Sequence, residues 1–402
     1  MHPRPRYSSR GEGRSRRTGL LMVVLLLLVS ACGEDPEESS PDATAREAPE
    51  REWRGPAPEG SWTEAVPFPD SPEEPRLRNV RQLTHGGTNA EAYFAYEGDR
   101  LVFQATWPGE TECDQIYVMD LDGSNLERIS TGDGRTTCGY FYPGQERVLF
   151  SSTHHVDPDC PPPPDRTDGY VWGLFDYDIY VRDLRTGELE RLTESPGYDA
   201  EATLSPDGST IVFTSTRDGD TNLWAMDADG TNKRQLTERE GYQGGAFFSP
   251  DGDRIVYRAF HPRDDEEREE YRRLLDEGLV AGGRLDIFVM DADGSNKRQV
   301  TDNGASNFAP FFHPDGERII FSSNLHDPGG RSFNLYLIGV DGTGLERVTL
   351  NEEGFDGFPQ FSPDGSTLAF ASTRGAEQPG EINVFLADWD DMDGLEGDEP
   401  GP

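Results

Sequence analysis

One short turn dominates this chain and limits what it can fold into. "FFSPDGDRIVY" at 247–257 returns as "TLSPDGSTIVF" at 203–213, "FFHPDGERIIF" at 311–321 and "QFSPDGSTLAF" at 360–370. Proline presets φ at the second turn position, and glycine supplies a conformation that other residues resist. Each copy therefore joins two strands tightly. Two degenerate copies, "YEGDR" at 96–100 and "YPGQER" at 142–147, keep the same register and bring the count to six.

A unit continues beyond its turn. A second strand such as "STIVFTST" leads to a third such as "NLWAMD", then a turn "ADGTN" and a last strand "KRQLT". Four short strands at this spacing are the pattern of a propeller blade. A lone four-stranded sheet cannot cover both of its faces, so such units must stack. The expected fold is all-β, a six-bladed β-propeller. The sixth unit lacks a "RQLT" strand, whereas "RLRNVRQLT" at 76–84 stands unpaired before the first. This N-terminal strand is expected to close the last blade and remove an exposed edge. A formal charge of −39 excludes electrostatic binding to nucleic acid.

The ends read differently. An Arg-rich start leads into "LLMVVLLLLV" at 20–29, too short to span a bilayer but suited to a signal peptide. "VSAC" follows and resembles the lipobox of bacterial lipoproteins, which implies cleavage before Cys32 and lipidation of its thiol. The expected organisation is a signal peptide over 1–32, a disordered Pro/Glu-rich linker over 33–75, the propeller over 76–389 and an acidic disordered tail over 390–402.

The "PDG" repeats and their blade pattern resemble the propeller of TolB and its relatives. That resemblance implies a periplasmic scaffold with protein partners. TolB proteins also carry an α/β domain ahead of the propeller, where this chain has its Pro/Glu-rich stretch.

Strand direction alternates, so the "PDG" and "ADGSN" turns share one face and every long insertion falls on the other. These insertions lie in blade two (153–178), blade four (260–284) and, shorter, blade five (324–334). Loops grown on one rim of a rigid scaffold are where recognition usually resides. The blade-four insertion reads as a short helix capped by Asp264 or Asp265, with Glu269 and Arg273 paired i,i+4 and Gly278 ending it. Tyr271, Leu274 and Leu275 are expected to face the disc, either as a lid or as decoration.

Candidate binding residues on this face are His154, His155, Arg217, His261, His326 and Arg374, with Glu91 and Glu201 at the channel mouth beside Cys138. Packing, or capping of strand ends, is the purely structural role open to them. Cys113, Cys138 and Cys160 all fall on the same face, and one disulfide among them is expected outside the cytoplasm. No motif places a base beside a cysteine, and no "GxSxG" elbow appears, so no catalytic residue is assigned.

The leading reading is a non-catalytic, monomeric lipoprotein of the cell envelope. It is anchored by lipid in a bacterial membrane facing the periplasm, and it binds a protein, peptide or glycan without a cofactor. The inner membrane, outer membrane and surface all stay open. The alternatives are an accessory propeller of a peptidase, or a metal-dependent polysaccharide lyase or hydrolase. In that last case His154, His261 and His326 would hold a divalent metal, and Arg217 or Arg374 would grip substrate carboxylates.

Overall fold

The computed structural model describes residues 65–166 and 170–392. Six sheets of at least four antiparallel strands follow one another, five of them running inner to outer along the chain and the sixth taking its outer strands from the N-terminal segment. The inner strands are Thr88–Phe94, Thr136–Phe141, Asp199–Leu204, Tyr242–Phe248, Asn307–Phe312 and Asp356–Phe361. The second strands are buried on both faces, as Leu101, Val102 and Phe103 show, because each blade is packed between two others. The turn glycines, such as Gly208 at φ 69° and Gly252 at φ 79°, occupy the left-handed region that the sequence implied.

A polar belt repeats in every blade. The hydroxyls of Thr84, Ser130, Thr193, Thr237, Thr301 and Thr349 accept the N–H of the second residue of the neighbouring third strand at 2.8–3.0 Å. Each hydroxyl then donates to a side chain at the start of that strand, as Thr237 does to Asn222 at 3.1 Å and Thr193 to Asp178 at 2.9 Å. Every one of these threonines and Ser130 is buried. One hydroxyl in each blade thus satisfies a strand end that water cannot reach.

Thr84 does this for blade six, which confirms the closure. Leu77–Gln82 pairs antiparallel with Asn383–Trp389. A fifth strand, Val66–Pro67, then pairs with Leu77–Gln82. The expected linker boundary at residue 75 is therefore too late. Phe68 packs edge-on against Phe385, and Glu74, 4% exposed, accepts two hydrogen bonds from Arg374 at 2.8 and 2.9 Å. The tail also begins later than expected, since Asp391 pairs with Arg318 at 2.8 Å. The signal peptide, Cys32, most of the linker and residues 393–402 lie outside the described residues.

The two large insertions meet. Val171–Gly173 of blade two pairs antiparallel with Leu279–Ala281 of blade four. Helix α1, Asp265–Asp276, is capped by Asp264, whose carboxylate accepts the Glu267 N–H at 2.9 Å. Tyr271 and Leu274 are buried and Leu275 partly so, as the pattern implied. The expected Glu269–Arg273 pair gives way to Arg273 with Glu270 at 2.7 Å and Glu277 at 2.8 Å. The Tyr271 hydroxyl bonds Asp220, and Arg268 and Arg272 pair with Glu240, so α1 rests on blade-three loops.

Candidate functional site at the propeller axis

Each inner strand carries a bulge, and one residue in each has a positive φ: Glu91, Cys138, Glu201, Gly245, Ala309 and Phe358. The bulge re-aims these six equivalent positions at the axis, five of them bearing a side chain. Sequence register foresaw Glu91, Cys138 and Glu201 as equivalents, and the structure brings them together.

Glu201 is the hub. Its carboxylate accepts from the Tyr242 hydroxyl at 3.0 Å, Thr214 Oγ1 at 2.7 Å and the Gly245 N–H at 3.0 Å, and it pairs with Arg258. A side chain at Gly244 would strike Glu201 and Tyr242, and one at Gly245 would strike Arg258, so two glycines make this room. Burial pushes the Glu91 carboxyl up to about 7, against a hydrogen bond from Cys138 and with the Glu201 charge adding to the rise. Burial likewise raises the Cys138 thiol, and the two carboxylates reinforce it. Cys138 thus stays protonated and is no nucleophile.

Above this group, Trp172 from the insertion sits edge-on to Tyr242 at 5.1 Å, and the Arg258 guanidinium lies 5.8 Å from the Trp172 ring centre. Glu91 Oε2, Arg258 Nε and Trp172 Nε1 are buried with no protein partner. Two residues further along the inner strands, Tyr93 meets Phe247 at 5.4 Å and Tyr140 at 5.9 Å, while Phe247 meets Phe311 at 5.3 Å. Tyr93 belongs to blade one and Phe247 to blade four, opposite each other, so aromatic rings plug the channel. The axis holds a polar chamber on the insertion side and a separate mouth on the turn side.

The rim residues are engaged inside their own blades. His154 bonds Ser152 Oγ at 2.7 Å, and its ring lies 4.4 Å from that of Tyr180. His155 Nε2 is 3.0 Å from Asp178. His261 bonds the Glu240 carbonyl at 3.2 Å, and burial with Arg239 nearby pushes it down to about 4. His326 Nε2 meets Ser332 Oγ at 3.0 Å. The structure thus leaves His154, His261 and His326 on three separate blades, each with its own local partner. Among the described residues no three side chains of metal-binding type converge. Arg217 pairs with Asp199 at 2.8 Å and Arg374 with Asp356 at 2.7 Å, so neither is free to grip a substrate.

The cysteines resolve as Cys113–Cys160, with Cα atoms 5.6 Å apart, tying a blade-one loop to the blade-two insertion. Cys138 stays free. Arg258, Tyr242 and Trp172 were missed from sequence. Arg258 had a signal: aligned second strands carry Gln104, Ser151, Thr214, Ser322 and Ala371 there, so an Arg breaks the pattern.

Comparison with known proteins fits this geometry. The TolB beta propeller domain is recognised over residues 174–267. The "Tol-Pal system protein TolB" of Wolinella succinogenes is 28% identical over 207 residues, covering 51% of this chain and 42% of the relative. That of Francisella tularensis subsp. mediasiatica is 32% identical over 108 residues, 26% of this chain and 23% of the relative. The chain thus spans less than half the length of these curated relatives. The crystal structure of TolB from Acinetobacter baumannii superposes with a TM-score of 0.51 at 19% identity, over 73% of this chain and 64% of that one. An oligogalacturonate lyase in complex with manganese aligns over 82% of this chain and 96% of its own at 17% identity and TM-score 0.46, too loose to bring its chemistry across. The repeat, the closed ring of six sheets and these matches together show a TolB-like β-propeller.

Proposed function

We propose that the protein is a non-catalytic binding scaffold of the bacterial envelope, tethered by lipid at Cys32. Its insertion face would take up a protein, peptide or glycan. One observation carries this reading: the two longest insertions, from blades that are not neighbours, are joined into one strand pair over the axis. That arrangement makes a single composite surface from loops that a purely structural role would leave apart. Two exposed apolar side chains, Val156 and Tyr170, both 56% exposed, stand on the blade-two part of it. The TolB likeness supports protein partners of the Tol-Pal kind, as a proposal for this chain.

Among the described residues no helix is long and apolar enough to cross a membrane. The anchor rests on the sequence at Cys32. The scaffold reading is supported by the local partners that hold Arg217 to Asp199 and Arg374 to Asp356.

A photo-crosslinker placed at 156 or 170 in cells should give discrete adducts, whereas one at 234, on an outer strand, should not. Equal adducts at all three positions would defeat the face assignment. Cys32→Ser should move the protein from the membrane to the soluble fraction; unchanged partitioning would defeat the anchor.

A further inference from the structure

The other end of the axis has no part in that reading. On the turn face the aromatic plug floors a mouth of about 220 Å³, lined by Tyr140 and Phe311 and walled by the turn prolines Pro206, Pro250, Pro314 and Pro363. The same turns that provide these walls set carboxylates around the opening. Asp207, Asp251, Asp315 and Asp364 are all exposed. Hydrogen bonds from Ser205, Ser249 and Ser362 hold Asp207, Asp251 and Asp364 below the usual carboxylate range, so the rim keeps its charge.

The cations nearby are already spent. Arg318 pairs with Asp315 at 2.6 Å and Asp391 at 2.8 Å, and Arg254 donates to the Gly316 carbonyl at 2.8 Å with Glu317 3.7 Å away. An outward groove of about 540 Å³ adjoins through the same blade-four turn, lined by Asp251, Asp253, Asp291, Asp293 and Glu317 around Arg254. An apolar pit large enough for one aromatic side chain is thus ringed by carboxylates that outnumber Arg254 and Arg318, the arginines paired among them, and this net negative charge extends along a groove.

We propose that this mouth is a second docking site, for a basic segment of a partner protein that inserts one aromatic or large aliphatic side chain and lays Lys or Arg along the groove. Charge complementarity selects the occupant. An acidic segment or an anionic lipid surface would be repelled, and an uncharged apolar segment would leave the rim without a counter-charge. The pit supplies the apolar contact that a purely electrostatic encounter lacks.

The probe is the pentapeptide KKWKK, with KKGKK and EEWEE as controls, titrated against the full chain by tryptophan-independent means such as calorimetry. Binding of KKWKK that weakens with salt, exceeds KKGKK by about tenfold or more, and is absent for EEWEE supports the site. Pro206→Arg with Pro250→Arg, both on exposed turns, should abolish it. Asp253→Lys with Glu317→Lys should weaken it by about threefold or more. Tyr170→Ala on the opposite face should leave it unchanged, which keeps this test independent of the insertion-face reading. Thermal melts verify that each variant is folded. Equal binding of KKGKK, or undiminished binding by folded Pro206→Arg/Pro250→Arg protein, overturns the proposal.

Discussion

Two sets of polar groups lie buried in this ring, and they behave oppositely. In the belt, all six blades use a threonine or serine for the same bond, and the partners vary only among Asn, Gln and Asp. At the axis, six equivalent positions hold Glu, Cys, Glu, Gly, Ala and Phe. Repetition marks what every blade needs in order to stand. Divergence at an equivalent position marks freedom from that need, and Glu91, Trp172 and Arg258 each keep an unpartnered buried polar atom there. A repeat protein thus supplies its own internal control, because each blade reports what the others require.

This contrast can be broken or sharpened by measurement. The largest effect is expected at Arg374→Met. It strips the partner from Asp356 and Glu74, which are 0% and 5% exposed, and should cost about 3–5 kcal/mol in denaturant unfolding. A cost under about 1 kcal/mol would mean the N-terminal segment does not secure blade six. Next comes the belt: Thr237→Val keeps the shape but orphans the Leu223 N–H, for about 1–3 kcal/mol. A neutral result would remove the belt's structural role.

The smallest effect, and of opposite sign, belongs to the axis. The folded protein holds the Glu91 proton more tightly than the unfolded chain does, with about 7 against 4.5. The stability this contributes is full below about pH 4.5 and is lost as pH rises through about 7. Glu91→Gln should flatten that decline and leave the variant about 1 kcal/mol more stable than the parent near pH 8. If the variant is less stable there, Glu91 belongs with the belt and the contrast fails.

The repeat made the ring, its blade count and its closing strand legible, because each rests on local turn and strand chemistry. Glu91, Cys138 and Glu201 were placed together from register alone. The plug was not legible. Tyr93 and Phe247 sit on opposite blades, and only the diameter of the finished ring brings them into contact. The packing of Glu74 was hidden for a similar reason, since its partner Arg374 lies at the far end of the chain. Val66–Pro67 is too short to show a strand period. The histidines misled because their rim location was correctly read while their bonds within each blade were invisible.

The paired edge formed by Val66–Pro67 and Leu77–Gln82 gives the molecule a mechanical polarity. Tension applied to the chain upstream of residue 65 would reach the seam of the ring before any other part. Load arriving there would peel the fifth strand first and then work at the fastener of blade six, leaving blades two to four untouched until the seam had yielded.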